Sequence, residues 1–206
     1  MSGCFPRAPE FKRMTCSLGS TASVDELHRR LEIVYAASKK HLIGIDGVDG
    51  SGKTTLAKRL AKRFGGSVVS LDDYLDKNQN AYTLHVRCHE LNRAIANSQS
   101  PILIEGVCLL AVARRCGFSV DVHVYVRRLS KNSLLWHDEE MCMAETEADE
   151  LKRVERELQA AAAKLGDEDD PISDQNGLGL RGELIDYHAG WKPVQLADLV
   201  FDIVHE

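Results

Sequence analysis

Apolar and polar positions fall in alternating blocks along this chain, and the blocks predict its elements. From Val24 onward, Leu27, Leu31, Val34 and Tyr35 recur at helical spacing, with Ser23 placed as the cap and Glu26 three residues later to complete a capping box. Residues 41–46 (HLIGID) are a short apolar run, a glycine-rich turn follows, and Thr54–Phe64 returns to a helical pattern. The alternation then repeats. Ser67–Leu71 reads as a strand, Thr83–Asn97 as a helix, Pro101–Glu105 as a strand buried on both faces, Val107–Arg115 as a short helix and Val120–Val126 as another strand. Leu199–Val204 (LVFDIV) closes the series. Short apolar strands alternating with helices predict an α/β fold of three layers, α/β/α, around a mostly parallel sheet of five strands. In such sheets ligands gather at the carboxyl ends of the strands.

Three stretches stand outside this alternation. Residues 1–22 mix Gly, Pro, Ser, Thr and Arg without an apolar period and are expected to be a disordered leader, leaving 23–206 as a single domain. Ser130–Leu165 is polar and helix-favouring, with an alanine run at 160–163, and the region of about 128–165 is read as a helical lid. Gly166–Gly182, rich in Asp and Gly, is expected to be a loop. With 206 residues and 44% hydrophobic content, the chain can bury one core and is short for two. A net charge of −5 argues against nucleic acid as a partner. The six cysteines show no CxxC pair and no zinc spacing, so they read as reduced thiols. No apolar run reaches the roughly 18 residues a membrane span needs. The expectation is a cytoplasmic protein without a membrane partner, acting as a monomer or homodimer.

The chemistry concentrates after the first strand. Gly47-Val48-Asp49-Gly50-Ser51-Gly52-Lys53-Thr54 fits GxxxxGK[ST], and the strand before it and the helix after it are the context that the motif requires. Glycines let successive backbone N–H groups turn toward a phosphate while the following helix offers its positive end. Asp49 and Ser51 complete this cradle, Lys53 is expected on the β and γ phosphates, the Thr54 hydroxyl on Mg²⁺, and Thr55 near the α-phosphate. The implied cofactors are ATP and Mg²⁺.

Other strand ends supply the acceptor side. Ser70-Leu71-Asp72-Asp73-Tyr74 places two carboxylates and an aromatic ring after the second strand, and Glu105-Gly106 ends the third. Attack by a hydroxyl on phosphorus needs a proton acceptor, for which Asp72 is the candidate. Glu105 is a candidate for the metal or the acceptor, as Asp72 is for the metal. The competing reading makes Asp72 and Asp73 a turn pair and Glu105 a structural partner of Lys53. Arg127 and Arg128, placed just after the fourth strand, are candidates to clamp phosphate. His85 and His188 are candidates to reach the acceptor, and Tyr74 or Tyr82 to stack on a ring, although single histidines and tyrosines are more often structural.

On GVDGSGKTT, SLDDYL, PILIEG and YHAGWKPVQLADLVF, over roughly residues 41–204, the chain resembles the uridine kinase, phosphoribulokinase and nicotinamide riboside kinase branch of the P-loop kinases. The resemblance implies a P-loop NTPase fold, Asp72 as the base, Glu105 as the strand-end glutamate, and a small hydroxylated acceptor such as a nucleoside or riboside. Two features depart from the family pattern. Lys77–Leu84 (KNQNAYTL) replaces the family's aspartate-rich loop with histidine and proline, and no short arginine cluster marks the lid. The alternatives are a nucleoside monophosphate kinase, against which stands the absence of an Asp-Arg step, and a nucleotide-binding regulatory protein without turnover.

Overall fold

The computed structural model describes residues 19–35, 42–76, 81–136, 142, 147–164 and 178–205. In chain order the elements are β1 (Ser20–Thr21), α1 (Val24–Tyr35), β2 (Leu42–Asp46), α2 (Lys53–Phe64), β3 (Ser67–Ser70), α3 (Cys88–Asn97), β4 (Ile102–Glu105), α4 (Leu109–Cys116) and β5 (Val122–Ser130). There follow α5 (Ala148–Lys164), α6 (Gly179–Trp191), α7 (Pro193–Leu196) and β6 (Leu199–His205), and short 3₁₀ turns lie at Leu71–Tyr74 and Thr83–His85. The strands form one parallel sheet in the order β1-β6-β5-β2-β4-β3.

Helices cover both faces, which gives the three-layer α/β/α architecture of P-loop NTPases. On one face, Leu27 and Leu31 of α1 and Leu56 and Leu60 of α2 pack with Ile43, Ile45, Val122 and Val124. On the other, Leu91 of α3, Leu109 and Val112 of α4, and Leu184, Tyr187 and Trp191 of α6 close over Val69, Ile104 and Val120. Every residue of β2 is buried, which is why its sequence lacks the alternation of a half-exposed strand. From β2 the chain runs to one side of the sheet, through β3 and β4, and then crosses to β5 and β6 on the other. The carboxyl end of β2 is therefore the topological switch point, where open α/β sheets bind ligands.

The sheet has six strands where the pattern predicted five. The additional strand is Ser20–Thr21, which pairs with Val200 and Phe201; these two residues belong to the stretch read as leader, while residues 1–18 lie outside the described residues. Two residues are too few to show a period. The α1 cap is half a capping box: Glu26 N–H donates to Ser23 Oγ at 3.3 Å, but Ser23 N–H donates to Thr21 Oγ1 and the Glu26 carboxylate pairs with Arg29 and Arg30. The helix expected from Thr83 begins at Cys88, because Val86 bridges Leu75 and Arg87 N–H donates to the Tyr74 carbonyl. β5 runs to Ser130, which puts Arg127 and Arg128 inside the strand rather than after it.

The cysteine reading needs a larger correction. Cys88 and Cys116 form a disulfide across a separation of 28 residues, while Cys108 and Cys142 are thiols. The pairing follows from the packing of the start of α3 against the end of α4, which brings the two Cα atoms to 4.9 Å, and spacing along the chain does not show it. In the lid region, residues 137–141 and 143–146 lie outside the described residues, and α5 docks on α6 through Lys152–Asp186 and Arg181–Glu155 ion pairs. Of the expected loop, residues 179–182 are the first turn of α6. Among the described residues no helix is long and apolar enough to cross a membrane.

Candidate active site

Asp46, fully buried, ends β2 and roots the phosphate loop: its Oδ1 accepts the Gly47 N–H at 2.8 Å. Its Oδ2 accepts the Tyr187 hydroxyl and lies 3.3 Å from His123 Nε2. At Gly47 a Cβ would stand 2.6 Å from the Val126 carbonyl oxygen, and Gly52 turns the chain into α2 at φ 96°. Both positions therefore require glycine. Asp49 Oδ1 accepts the Gly50 N–H at 2.8 Å, and Ser51, itself buried, donates its N–H to the Val48 carbonyl. α2 opens at Lys53 with no side-chain cap, so the first-turn N–H groups of Lys53, Thr54 and Thr55 and the positive helix end are available to an anion. The side chains of Thr54 and Thr55 are exposed.

Lys53 is only 6% exposed, and its Nζ donates to the Val48 carbonyl at 2.6 Å and to Ser51 Oγ at 3.5 Å. Burial lowers its pKa, opposed by the carboxylates of Asp46, Glu105, Asp49 and Asp72, so one buried cation stands in the field of four acids. Three strand ends meet here, since Glu105 is in register with Ile45 on one side and Ser70 on the other. Glu105 is 1% exposed, and its Oε1 has no hydrogen-bond partner among the described residues.

Asp72 and Asp73 are exposed on the 3₁₀ turn that follows β3. The Tyr82 hydroxyl donates to Asp72 Oδ1 at 2.6 Å, and burial together with the Asp72 charge pushes the Tyr82 pKa far up, so the phenol remains a donor. Tyr74 is half-buried against the core. The backbone around it is laced by Arg87, whose guanidinium donates to the carbonyls of Asp73 and Leu75 and to Asp76. His85, half-buried, ends the second 3₁₀ turn, and its carbonyl accepts the Asp76 N–H. The start of this turn is tied to α6, where Glu183 accepts the N–H groups of Tyr82 at 2.5 Å and Thr83 at 2.8 Å.

The other candidates divide. Arg128 donates to the Gly50 carbonyl at 2.7 Å and so touches the phosphate loop. Arg127 is engaged elsewhere: its fork takes both oxygens of Asp202 at 2.6 and 2.8 Å, with the Trp136 ring 5.2 Å away. His188 lies in the core, its Nδ1 at 2.8 Å from the Leu184 carbonyl and its Nε2 at 2.7 Å from the Tyr125 hydroxyl. Burial lowers its pKa. Sequence reading missed Asp46, Arg87 and Glu183. Asp46 carried a signal, a buried acid ending an apolar strand, but Glu183 makes bonds across about 100 residues that no local pattern announces.

No family model matches the chain. Among solved structures it is similar to a possible uridine kinase from Bacillus stearothermophilus, with 18% identity, a TM-score of 0.47, and coverage of 87% of this chain and 97% of that one. It is also similar to a candidate fructose transport system kinase from Silicibacter sp. TM1040, with 15% identity, a TM-score of 0.45, and coverage of 88% and 100%. Likenesses at this level say nothing of the reaction, which has to be argued from the residues.

Proposed function

We propose that the protein transfers the γ-phosphoryl group of ATP to a hydroxyl of a small metabolite, a nucleoside or riboside being the favoured class. The observation that carries this reading is the meeting of two half-sites at the carboxyl ends of the strands: a glycine-built anion cradle with Lys53, and the carboxylates Asp72 and Glu105 within the field of that same lysine. The residues fit Mg²⁺ as well. The buried Glu105 Oε1 lacks a hydrogen-bond partner among the described residues, and the exposed Thr54 hydroxyl lies in the first turn of α2. Among the described residues no three His, Cys, Asp or Glu side chains form a metal cluster, so Thr54 and Glu105 are the side chains that would hold the ion beside the phosphates. When bound, Mg²⁺ supplies neutralisation of the phosphate charge.

The chain's own groups divide the remaining work. Backbone N–H groups of Lys53, Thr54 and Thr55 and the positive end of α2 hold the phosphates, and Lys53 exchanges its bond to the Val48 carbonyl for the γ-phosphate. Asp72 orients the acceptor hydroxyl and takes its proton, with the Tyr82 hydroxyl fixing one carboxylate oxygen and leaving the other for the acceptor. Asp73, Tyr74 and His85 border the acceptor. Arg128 is the arginine placed to reach phosphate.

The test is ATP consumption against a panel of nucleosides, ribosides, pantothenate and sugar alcohols, run beside Asp72→Asn. One acceptor should stimulate turnover, and the variant should lose about 10²–10⁴-fold while still binding ATP. ATP binding that no acceptor converts into turnover would instead favour a nucleotide-binding regulatory protein.

A further inference from the structure

We propose that Glu183 is a positioning residue that sets the acceptor side against the phosphate loop, a role that rests on the reading of Asp72 as the base. Both oxygens of its carboxylate are committed to consecutive backbone amides, Oε2 to Tyr82 N–H and Oε1 to Thr83 N–H. Tyr82 and Thr83 are buried, so without Glu183 their amides would be left without partners in the interior. Tyr82 then carries the constraint outward: its ring packs in the core, and its hydroxyl is the hydrogen-bond donor that reaches the Asp72 carboxylate among the described residues. Arg87 fixes the carbonyls around Asp72 but not its side chain.

Glu183 shares its helix with a residue that reaches the glycine-rich loop. Tyr187 lies four residues further along α6, hence on the same face of the helix, and its hydroxyl donates to Asp46 at the root of the phosphate loop. One helix face therefore grips the acceptor turn at one point and the base of the donor loop one helical turn later. α6 is itself held down by the bonds of His188 to Tyr125 and by the ion pair of Asp186 with Lys152. The spacing of Glu183 and Tyr187 fixes where Asp72 stands relative to the bound phosphates.

The test compares the full chain with Glu183→Gln, Glu183→Asp, Tyr82→Phe and the double variant Glu183→Gln/Tyr82→Phe. Three readouts are taken: amide hydrogen exchange at residues 82 and 83, the side-chain ¹³C resonance of Asp72 at fixed pH (assigned with Asp72→Asn), and kcat and KM with Mg·ATP and the stimulating acceptor. Glu183→Gln should raise exchange at 82 and 83 by about tenfold or more while α2 keeps its protection. It should shift the Asp72 resonance in the direction that Tyr82→Phe does, with the double variant going no further, and lower kcat with KM for ATP unchanged. Glu183→Asp, which keeps the charge on a shorter arm, should recover part of each effect. Unchanged exchange, an unmoved Asp72 resonance or additive effects in the double variant would overturn the proposal. Should Glu183→Gln fail to fold, Tyr82→Phe alone must move the Asp72 resonance with the 82 and 83 amides still protected. A wild-type chain without acceptor-dependent turnover would remove the kinase reading, and exchange and resonance would then decide the anchoring by themselves.

Discussion

The two halves of the site are built by different means. Around the glycine-rich loop most of the bonds are local, Asp46 to Gly47, Asp49 to Gly50, Ser51 to Val48 and Lys53 back to Val48, while Tyr187 on Asp46 and Arg128 on the Gly50 carbonyl come from far along the chain. Around Asp72 they reach further, with Tyr82 on Asp72 across 10 residues, Arg87 on the Asp73 carbonyl across 14, and Glu183 on the amides of Tyr82 and Thr83 from about 100 residues away. A cradle made of nine consecutive residues between a buried strand and a helix is largely a property of that segment. A turn held in part by a helix about 100 residues away can be retuned from outside itself.

That contrast predicts a graded set of losses. Lys53→Ala should have the largest effect, about 10²–10³-fold in kcat, because it removes the charge on the transferring group, and steady-state turnover at saturating ATP would show it. Near-normal turnover would break the distinction between the halves at its donor end. Next comes the pair of neighbouring arginines. Arg128→Ala should weaken Mg·ATP binding or turnover with little change in thermal stability, since its contact is the Gly50 carbonyl. Arg127→Ala should do the reverse, costing about 1.5–3 kcal/mol of stability by orphaning Asp202. Calorimetric titration beside thermal unfolding separates the two, and identical behaviour would contradict the placement.

The smallest expected effect concerns α6, which ties the halves together. Burial depresses the folded-state pKa of His188 below its ordinary 6.5, opposed by its bond to the Leu184 carbonyl and by the Asp46 charge. Above about pH 6.5 the ring is neutral folded and unfolded alike. As pH falls below that value the unfolded chain binds a proton that the folded one resists, so stability declines toward the folded pKa. Urea midpoints between pH 5 and 8 should show this decline, and His188→Gln should flatten it.

Much of this division was legible in the residues themselves. HLIGID followed by GVDGSGKTT reads directly, because a strand buried on both faces is apolar throughout and a phosphate loop needs its glycines where only glycine fits. Asp72 and Glu105 were legible as acids at strand ends. What could not be read is what tertiary packing creates. Arg127 and Arg128 look alike in sequence, yet adjacent strand positions face opposite ways, and one meets Asp202 while the other meets Gly50. Cys88–Cys116 and the Glu183 clamp likewise depend on which helices become neighbours. His188 carries no mark of its burial, yet it sits in the core against the Tyr125 hydroxyl.

On the proposed function, the glycine-rich cradle and the turn that carries Asp72 address one phosphoryl group. An experimental structure with Mg²⁺ and a non-hydrolysable ATP analogue tests it most directly. Lys53 Nζ should be released from the Val48 carbonyl and bonded to the terminal phosphate, with Asp72 still held by Tyr82 and facing that phosphate across a space for one hydroxyl. A nucleotide bound with its terminal phosphate away from Asp72, or with Lys53 still on Val48, would contradict it.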